Sequence, residues 1–315
     1  MLGEKPKLQC ASLFELFWGC LVSVGQRLFG SPKIIMPRRC IADYRLVNPI
    51  TKINQPTNFS IGMYAKNGKK FFIKTWTGRL KNMEYNTLIN EYVLSTFIKG
   101  RLKNLHKHIK IKIPTPVEHI STKSSFSVVY EYISGPSLAD LQLSQQIKVL
   151  TRTLSEFKIL TKSMTKEELN SFPKRSKLFY LLALPIHVLI STLHDFELLP
   201  YVLVEAARSL RLYPSLKKTP LTLAHRDLIP ENIILHKEHP YLIDCGSFVL
   251  THPDYDLAYL AVRPLSTELY LMISRQTSHY VRKFFKAFIN VQFAQAHQFE
   301  RKMYISTIGG FNYAK

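Results

Sequence analysis

Apolar and polar residues alternate along two short runs near the start of the chain, Phe59 to Ala65 and Lys70 to Thr75. Alternation with a period of two is typical of β-strands, and Asn67 with Gly68 between the runs indicates a tight hairpin turn. The segment Met83 to Ile98 instead places its apolar residues at helical spacing. The pattern therefore predicts a β-hairpin followed by a helix.

Further along the chain, the pattern changes from strands to helices. A strand is predicted from Phe126 to Tyr132, and a long helical stretch runs from Leu138 to Tyr213. Short apolar runs then predict strands at Leu221 to Ala224, Ile233 to Leu235 and Tyr241 to Ile243. A β-rich first part and a mainly helical second part predict an α+β protein with two lobes.

We divide the 315 residues into three regions. Residues 1–43 form an apolar N-terminal extension, 44–133 a small antiparallel-sheet N-lobe that binds nucleotide, and 134–315 a larger, mainly helical C-lobe with the catalytic loop and acceptor-binding helices. The extension is strongly apolar from Cys10 to Gly30 but contains Glu15. A buried glutamate is costly in lipid, so an interfacial helix or a helix docked on the domain is expected, and not a membrane span.

The densest chemical signal is the string HRDLIPENIIL, which begins at His225, followed by LIDCGSF. It places Asp227, Asn232 and Asp244 in the order that phosphoryl transfer uses. That reaction needs a carboxylate near the attacking hydroxyl and oxygen ligands that hold magnesium on the nucleotide phosphates. We therefore predict Asp227 and Asn232 as catalytic residues, and Asn232 and Asp244 as magnesium ligands.

The N-lobe pattern adds predicted nucleotide-binding residues. Lys74 ends the second strand of the hairpin, and Glu91 lies among core-type residues of the following helix, where it can pair with the lysine. Glu84 is the alternative partner. The connector after the predicted strand at Phe126 to Tyr132 would present the backbone of Glu131 and Ile133 to adenine.

One expected feature is missing where a phosphate-binding loop should lie. The stretch between Val47 and Ser60 contains no glycine. Glycine normally allows the backbone to approach phosphate closely. Nucleotide affinity is therefore expected to depend more on Lys74 and magnesium.

The chain carries 43 lysines and arginines against 22 aspartates and glutamates, which gives a net charge of +21. This favours phosphate-bearing partners such as nucleotides, phosphorylated sugars or an anionic membrane surface. Nucleic acid is not expected as a partner because no recognisable binding module accompanies the charge.

The four cysteines show no paired or metal-binding spacing, which favours a reducing compartment. We expect a cytoplasmic protein, with peripheral binding to the inner face of a membrane as an open alternative. The basic residues form three clusters: Lys66, Lys69, Lys70 and Lys74; Arg101, Lys103, Lys107, Lys110 and Lys112; Lys174, Arg175 and Lys177.

These motifs, with the segment PDYDLAYL from Pro253, resemble the aminoglycoside phosphotransferase and choline kinase branch of the protein-kinase-like fold, from about Tyr44 to the C-terminus. The resemblance implies a bilobal fold and the cofactors ATP and Mg²⁺. It implies that Asp227 is the catalytic base or orients the hydroxyl, and that Lys74 contacts the nucleotide phosphates. It also implies that Asp256 braces the catalytic loop through backbone hydrogen bonds.

Two functional hypotheses remain. The first is an ATP- and Mg²⁺-dependent phosphotransferase that acts on a hydroxyl of a small-molecule, sugar-like or lipid-linked acceptor. The stretch from Asp244 to Pro253 is too short for a protein-docking segment, which favours this hypothesis. The alternative is a pseudokinase or atypical Ser/Thr protein kinase with a nucleotide-binding, partner-binding or membrane-surface scaffold role.

Overall fold

The computed structural model describes residues 35–50, 59–78, 83–105, 109–216, 219–262 and 279–294, together with the single residue Phe17. Its first lobe is an antiparallel sheet in the order β1-β2-β3-β4-β6-β5 with one helix, α1 (Met83–Asn104). The sheet begins at Cys40, inside the region predicted as an extension. The strands are β1 (Cys40–Ile41), β2 (Tyr44–Ile50), β3 (Phe59–Lys66), β4 (Lys69–Thr77), β5 (Pro116–Ser121) and β6 (Ser125–Glu131).

The predicted hairpin is present as β3 and β4. Lys66 pairs with Lys69, which leaves Asn67 and Gly68 as a two-residue turn. Both turn residues have positive φ angles, 50° and 71°. A left-handed pair is what the twist of a tight hairpin requires, and asparagine followed by glycine adopts it at least cost.

Helix α1 extends six residues beyond the end predicted from the sequence and contacts both lobes. Its N-terminal half packs Leu88 and Ile89 against Trp76 of β4 and Phe126 of β6. Its C-terminal half contributes Leu94 and Ile98 to the core of the second lobe. One rigid helix therefore links the sheet to the C-lobe.

The second lobe is mainly helical, with two small antiparallel strand pairs, β7 with β10 and β8 with β9. Thr165 and Glu168 form a capping box at the start of α3. The helices are α2 (Leu143–Ser163), α3 (Lys166–Ser171), α4 (Lys177–His194), α5 (Leu199–Leu212), α6 (Tyr255–Val262) and α7 (His279–Gln292), and the strands are β7 (Thr222–Ala224), β8 (Ile233–His236), β9 (His239–Leu242) and β10 (Val249–Thr251).

Helix α7 belongs to the core of this lobe. Phe284, Phe285 and Phe288 are buried against Tyr180 of α4 and Tyr255 of α6. These phenylalanines lie at helical spacing on the buried face of α7, whereas Tyr280 on the same helix is 62% exposed. Within the described residues, no helix is both long and apolar enough to cross a membrane. Apart from Phe17, the apolar run from Cys10 to Gly30 lies outside the described residues, as does most of the glycine-free stretch.

Candidate active site

Lys74 lies near the middle of β4 and is 7% exposed. Its ammonium Nζ is 2.9 Å from Oε2 of Glu91 on α1 and 2.8 Å from Oδ1 of Asp244. One lysine thus joins the sheet, the helix and the strand end that carries Asp244. Glu91, and not the alternative Glu84, is the partner on α1.

The ionisation of this cluster follows from its burial and its charges. Burial alone would lower the pKa of Lys74, but the carboxylates of Asp244 and Glu91 outweigh this and raise it above the ordinary lysine value. Burial raises the pKa of Glu91, and the Lys74 ammonium opposes that shift. The lysine therefore stays charged because two anions compensate its desolvation.

Asp244 has a left-handed backbone, with φ of 61°, and begins a 3₁₀ turn over Cys245–Ser247. This turn packs against α1. A Cβ placed on Gly246 would lie 2.5 Å from the carbonyl oxygen of Thr87 and 3.2 Å from Cβ of Glu91. Glycine is needed here because the backbones approach so closely, and this contact brings Asp244 to the lysine.

Asp227 is held by neutral hydrogen-bond donors. The side-chain amide of Asn232 donates to Oδ2 and to the backbone carbonyl of Asp227, each over 2.9 Å. The hydroxyl of Tyr259 on α6 donates to Oδ1 over 2.7 Å. The orientation of this carboxylate is therefore set from two sides. Because the Asn232 nitrogen makes these bonds, its oxygen is the atom suited to bind a cation.

The loop that carries Asp227 is braced from below by Asp256. Its two carboxylate oxygens accept the backbone N–H groups of His225 and Arg226, over 2.8 and 2.7 Å. Arg226 has a φ of 69°, a conformation that costs energy in a residue with a side chain. The charged hydrogen bonds offset that cost, so Asp256 has the bracing contacts that the resemblance implied.

A backbone hydrogen bond joins the segment that carries Asn232 to the segment that carries Asp244. The N–H of Ile243 donates to the carbonyl of Asn232 over 2.9 Å, and Asp244 follows Ile243 directly. His225 adds a second link through a 3.0 Å hydrogen bond between Nε2 and the Ile243 carbonyl. An unbroken chain of contacts thus connects four of the predicted site residues: Lys74, Asp227, Asn232 and Asp244.

In the connector between the lobes, Glu131 and Ile133 are only partly placed to contact adenine. The N–H of Glu131 donates to the Thr115 carbonyl, and the Glu131 carboxylate accepts the Thr115 N–H, each over 3.0 Å. The amide of Glu131 is therefore used within the lobe. Ile133 follows the end of β6 and is half-buried. Their contact with adenine stays a prediction.

The donor set fits magnesium. Asn232 and Asp244 offer a neutral and an anionic oxygen on neighbouring segments, and Mg²⁺ is commonly held by one or two such groups together with phosphates and water. Among the described residues, no group of three or more His, Cys, Asp or Glu side chains could form an all-protein metal cage. A magnesium ion here would thus depend on the nucleotide.

Tyr259 is the site residue that sequence reasoning missed. The segment PDYDLAYL contains it three residues after Asp256, which on a helix puts both side chains on one face. Since Asp256 was predicted to support the catalytic loop, a hydroxyl one turn further was the available signal.

An antiparallel-sheet lobe is joined to a helical lobe, a lysine is paired with a helix glutamate, and one loop carries an aspartate bonded to an asparagine. This arrangement is that of the protein-kinase-like phosphotransferase fold. Residues 71–288, well over half of the chain, match the model of the phosphotransferase enzyme family. The chain belongs to that family and is a kinase-type phosphotransferase enzyme. The resemblance to aminoglycoside phosphotransferases that the motifs indicated is thereby confirmed. Among curated proteins, no sequence matches significantly.

Solved structures agree on the fold. A thermostable mutant of aminoglycoside phosphotransferase APH(4)-Ia, in ternary complex with ADP and hygromycin B, has a TM-score of 0.56 at 11% identity, covering 84% of this chain and 87% of that one. An aminoglycoside-3'-phosphotransferase of type VIII has a TM-score of 0.54 at 17% identity, covering 86% and 99%. The APH(2″)-IIa complex with streptomycin and ATP has a TM-score of 0.54 at 16% identity, covering 81% and 90%. The predicted bilobal α+β kinase-like fold is confirmed.

Proposed function

We propose that this enzyme transfers the γ-phosphate of ATP, with Mg²⁺, to a hydroxyl group of a small-molecule acceptor. The observation that supports this most directly is the contact chain from Lys74 through Asp244, Ile243 and Asn232 to Asp227. It brings together, on neighbouring segments, residues suited to bind phosphate, to hold magnesium and to act as a base. The similar structures with ADP and with ATP support the choice of nucleotide.

Each residue then has a defined task. Asp227 accepts the proton of the acceptor hydroxyl, while Tyr259 and Asn232 hold its carboxylate in one orientation. Lys74, fixed by Glu91, holds the nucleotide phosphates. Mg²⁺ on Asn232 and Asp244 would neutralise phosphate charge. The protein contributes mainly positioning and electrostatic stabilisation.

The segment after Asp244 supports a small acceptor. It passes through the 3₁₀ turn at Cys245–Ser247, then pairs as β10 with β7, and α6 begins at Tyr255. Only short connections separate these three elements, so little chain remains to dock a protein substrate. This argues for the phosphotransferase and against a protein kinase.

An exposed apolar face on α4 supports the finer proposal that the acceptor is lipid-linked and that the enzyme meets it at an anionic membrane surface. Leucines at spacings of four and seven residues share one side of the helix. Lys174, Arg208 and Arg211 are exposed near its ends and on α5, which complements anionic lipid. The exposed apolar residues are Leu178 at 57%, Leu182 at 46%, Leu189 at 45%, Leu193 at 45% and, just beyond the helix, Phe196 at 75%.

Vesicle flotation tests this finer proposal. The enzyme should float with vesicles that contain phosphatidylserine and not with neutral ones, and Leu182→Glu should abolish flotation. Val117→Glu, at an exposed apolar position of β5, is the matched control and should float normally. Equal flotation of both variants would count against the α4 face.

The central proposal is tested by binding and turnover. Thermal shift should show stabilisation by ATP with Mg²⁺, and a screen of hydroxylated metabolites and lipid-linked sugars should find an acceptor that depends on the enzyme. Asp227→Asn should lower turnover by about a hundredfold or more. Asp43→Ala, at an exposed aspartate, is the control and should stay active. Nucleotide binding without turnover that depends on Asp227 would favour the pseudokinase alternative.

A further inference from the structure

A second concave site lies between the C-terminal half of α1, the segment 109–115 and the β8–β9 hairpin. Its cavity measures about 410 Å³. Of the residues assigned to the candidate active site, only Glu131 also lines it. Cavities of this size hold small-molecule ligands in other proteins. The proposed phosphotransfer mechanism makes no use of it.

Positive charge dominates the cavity. Lys99, Lys103, Lys110 and Lys112 line it, and the single carboxylate among the described lining residues, Glu131, already accepts the Thr115 N–H. Lys110 and Lys112 are exposed and form no ion pair within the described part of the chain. Their charges are therefore not neutralised by the protein.

The walls of the cavity are apolar, and backbone hydrogen bonds hold the segment that carries Lys112 in place. Ile109, Ile111 and Ile113 are buried beneath the lysines. Lys112 exchanges two backbone hydrogen bonds with β9, donating its N–H to Pro240 and accepting the N–H of Leu242, each over 2.8 Å.

A second anchor comes from α2. The carboxylate of Glu156 accepts the N–H groups of Lys110 and Ile111 over 3.0 and 2.9 Å. The segment that presents both lysines is therefore held before any ligand binds, which lowers the entropic cost of binding.

His239, at the rim of the cavity, lies in the electrostatic field of the same lysines. Partial burial, then the ammonium groups of Lys112 and Lys110, lower the pKa of His239 below its ordinary value. Two charged lysines thus act on a third titratable group at the rim. This supports a local excess of positive potential, which the cavity geometry already indicates.

We propose that this cavity is a second anion-binding site, separate from catalysis, for a small ligand that carries two or more phosphate groups. Several lysine ammonium groups around one cavity suit clustered phosphates, because each is a mobile point charge. The Tyr241 ring beside Lys112 offers an apolar surface to the rest of the ligand. Free polyphosphate and a phosphorylated lipid headgroup share this chemistry.

Titration calorimetry on the full chain tests the proposal with two probes, inorganic tripolyphosphate and inositol trisphosphate as a soluble headgroup. At least one probe should bind, with an affinity that falls as salt rises. The double variant Lys110→Ala with Lys112→Ala should weaken binding by about tenfold or more. The probe that binds more tightly identifies the source of the ligand.

Lys148→Ala with Lys162→Ala is the matched control, since both lysines are exposed on α2 and the loss of charge is the same. It should bind like the wild type. Binding at the catalytic lysine alone would be insensitive to both double variants, and that result, or the absence of binding by either probe, overturns the proposal. Unchanged melting temperatures for both variants would show that each is folded.

Discussion

The two basic sites of this protein use lysine in opposite ways. Lys74 is buried between two carboxylates at 2.8 and 2.9 Å, whereas Lys110 and Lys112 are exposed around a cavity where Glu131 is the one carboxylate among the described lining residues. In the first site the protein supplies the counter-charge and fixes the ammonium group. In the second it fixes the backbone and leaves the charge for a ligand. The same residue type thus acts as a structural link or as an attractant according to its burial and partners.

The largest loss of stability is expected for Lys74→Met. It removes the cation and leaves Glu91 and Asp244 close together without compensation. Loss of one partner from a buried ion pair typically costs about 3–5 kcal/mol of the free energy of unfolding. Urea denaturation should reveal a loss of that size, and stabilisation by ATP with Mg²⁺ should disappear.

The double variant Lys74→Met with Glu91→Leu is the control for the charge argument. It removes one of the two uncompensated carboxylates and should recover part of the lost stability without restoring nucleotide binding. If Lys74→Met alone were as stable as the wild type, the triad would not be the electrostatic link described here.

The buried, neutral histidine His187 provides an intermediate case. Burial, then the charges of Arg175 and Arg226, lower the pKa of His187 to about 3. Because this value lies below the unfolded one, the unfolded chain takes up a proton first as pH falls below about 6.5, and stability falls with it. Between pH 7 and pH 5 this histidine should cost about 2 kcal/mol.

The variant His187→Leu isolates that contribution. Unfolding free energies at pH 7 and pH 5 should differ by about 2 kcal/mol less in the variant than in the wild type, because the variant has no group to protonate there. The same pH dependence in both proteins would show that His187 can be protonated where it lies, and that burial without an acid does not keep it neutral.

Much of the candidate active site was predictable, because its residues lie in local patterns. The order of Asp227, Asn232 and Asp244 and the strand-helix spacing of Lys74 and Glu91 are properties of short segments. The direct contact of Lys74 with Asp244 joins residues far apart in sequence, and it depends on the close packing at Gly246.

The anion cavity was beyond sequence reasoning for a similar reason. The basic cluster after α1 was visible, but its concave shape arises where the segment 109–115 meets the β8–β9 hairpin, more than a hundred residues later. Local periodicity predicts elements, whereas the meeting of distant elements is decided by packing. Tyr259 was missed on the same ground, since its contact with Asp227 crosses from α6 to the catalytic loop.

Tyr259→Phe tests how a neutral hydrogen-bond donor positions the Asp227 carboxylate. The variant keeps the buried ring and removes the 2.7 Å hydrogen bond to Asp227. A hydrogen bond to a charged group contributes about 1.5–3 kcal/mol, so kcat should fall by about tenfold or more with little change in KM for ATP. A shift in the pH profile of kcat should accompany it if Tyr259 positions the base. Tyr255→Phe, on the same helix but without a contact to Asp227, serves as the control. An unchanged kcat and pH profile would show that Tyr259 does not position Asp227.

The smallest effect is expected for Lys110→Ala with Lys112→Ala in the absence of ligand. These ammonium groups have no ion-pair partner within the described residues, so their removal should change the free energy of unfolding by less than about 0.5 kcal/mol. At low salt the variant should be slightly more stable, because repulsion among the cavity lysines is relieved, and the difference should vanish as salt screens it. A loss of several kcal/mol in this variant, as in Lys74→Met, would mean that both sites use lysine structurally and that the contrast between them does not hold. Urea denaturation across a series of salt concentrations distinguishes the two outcomes.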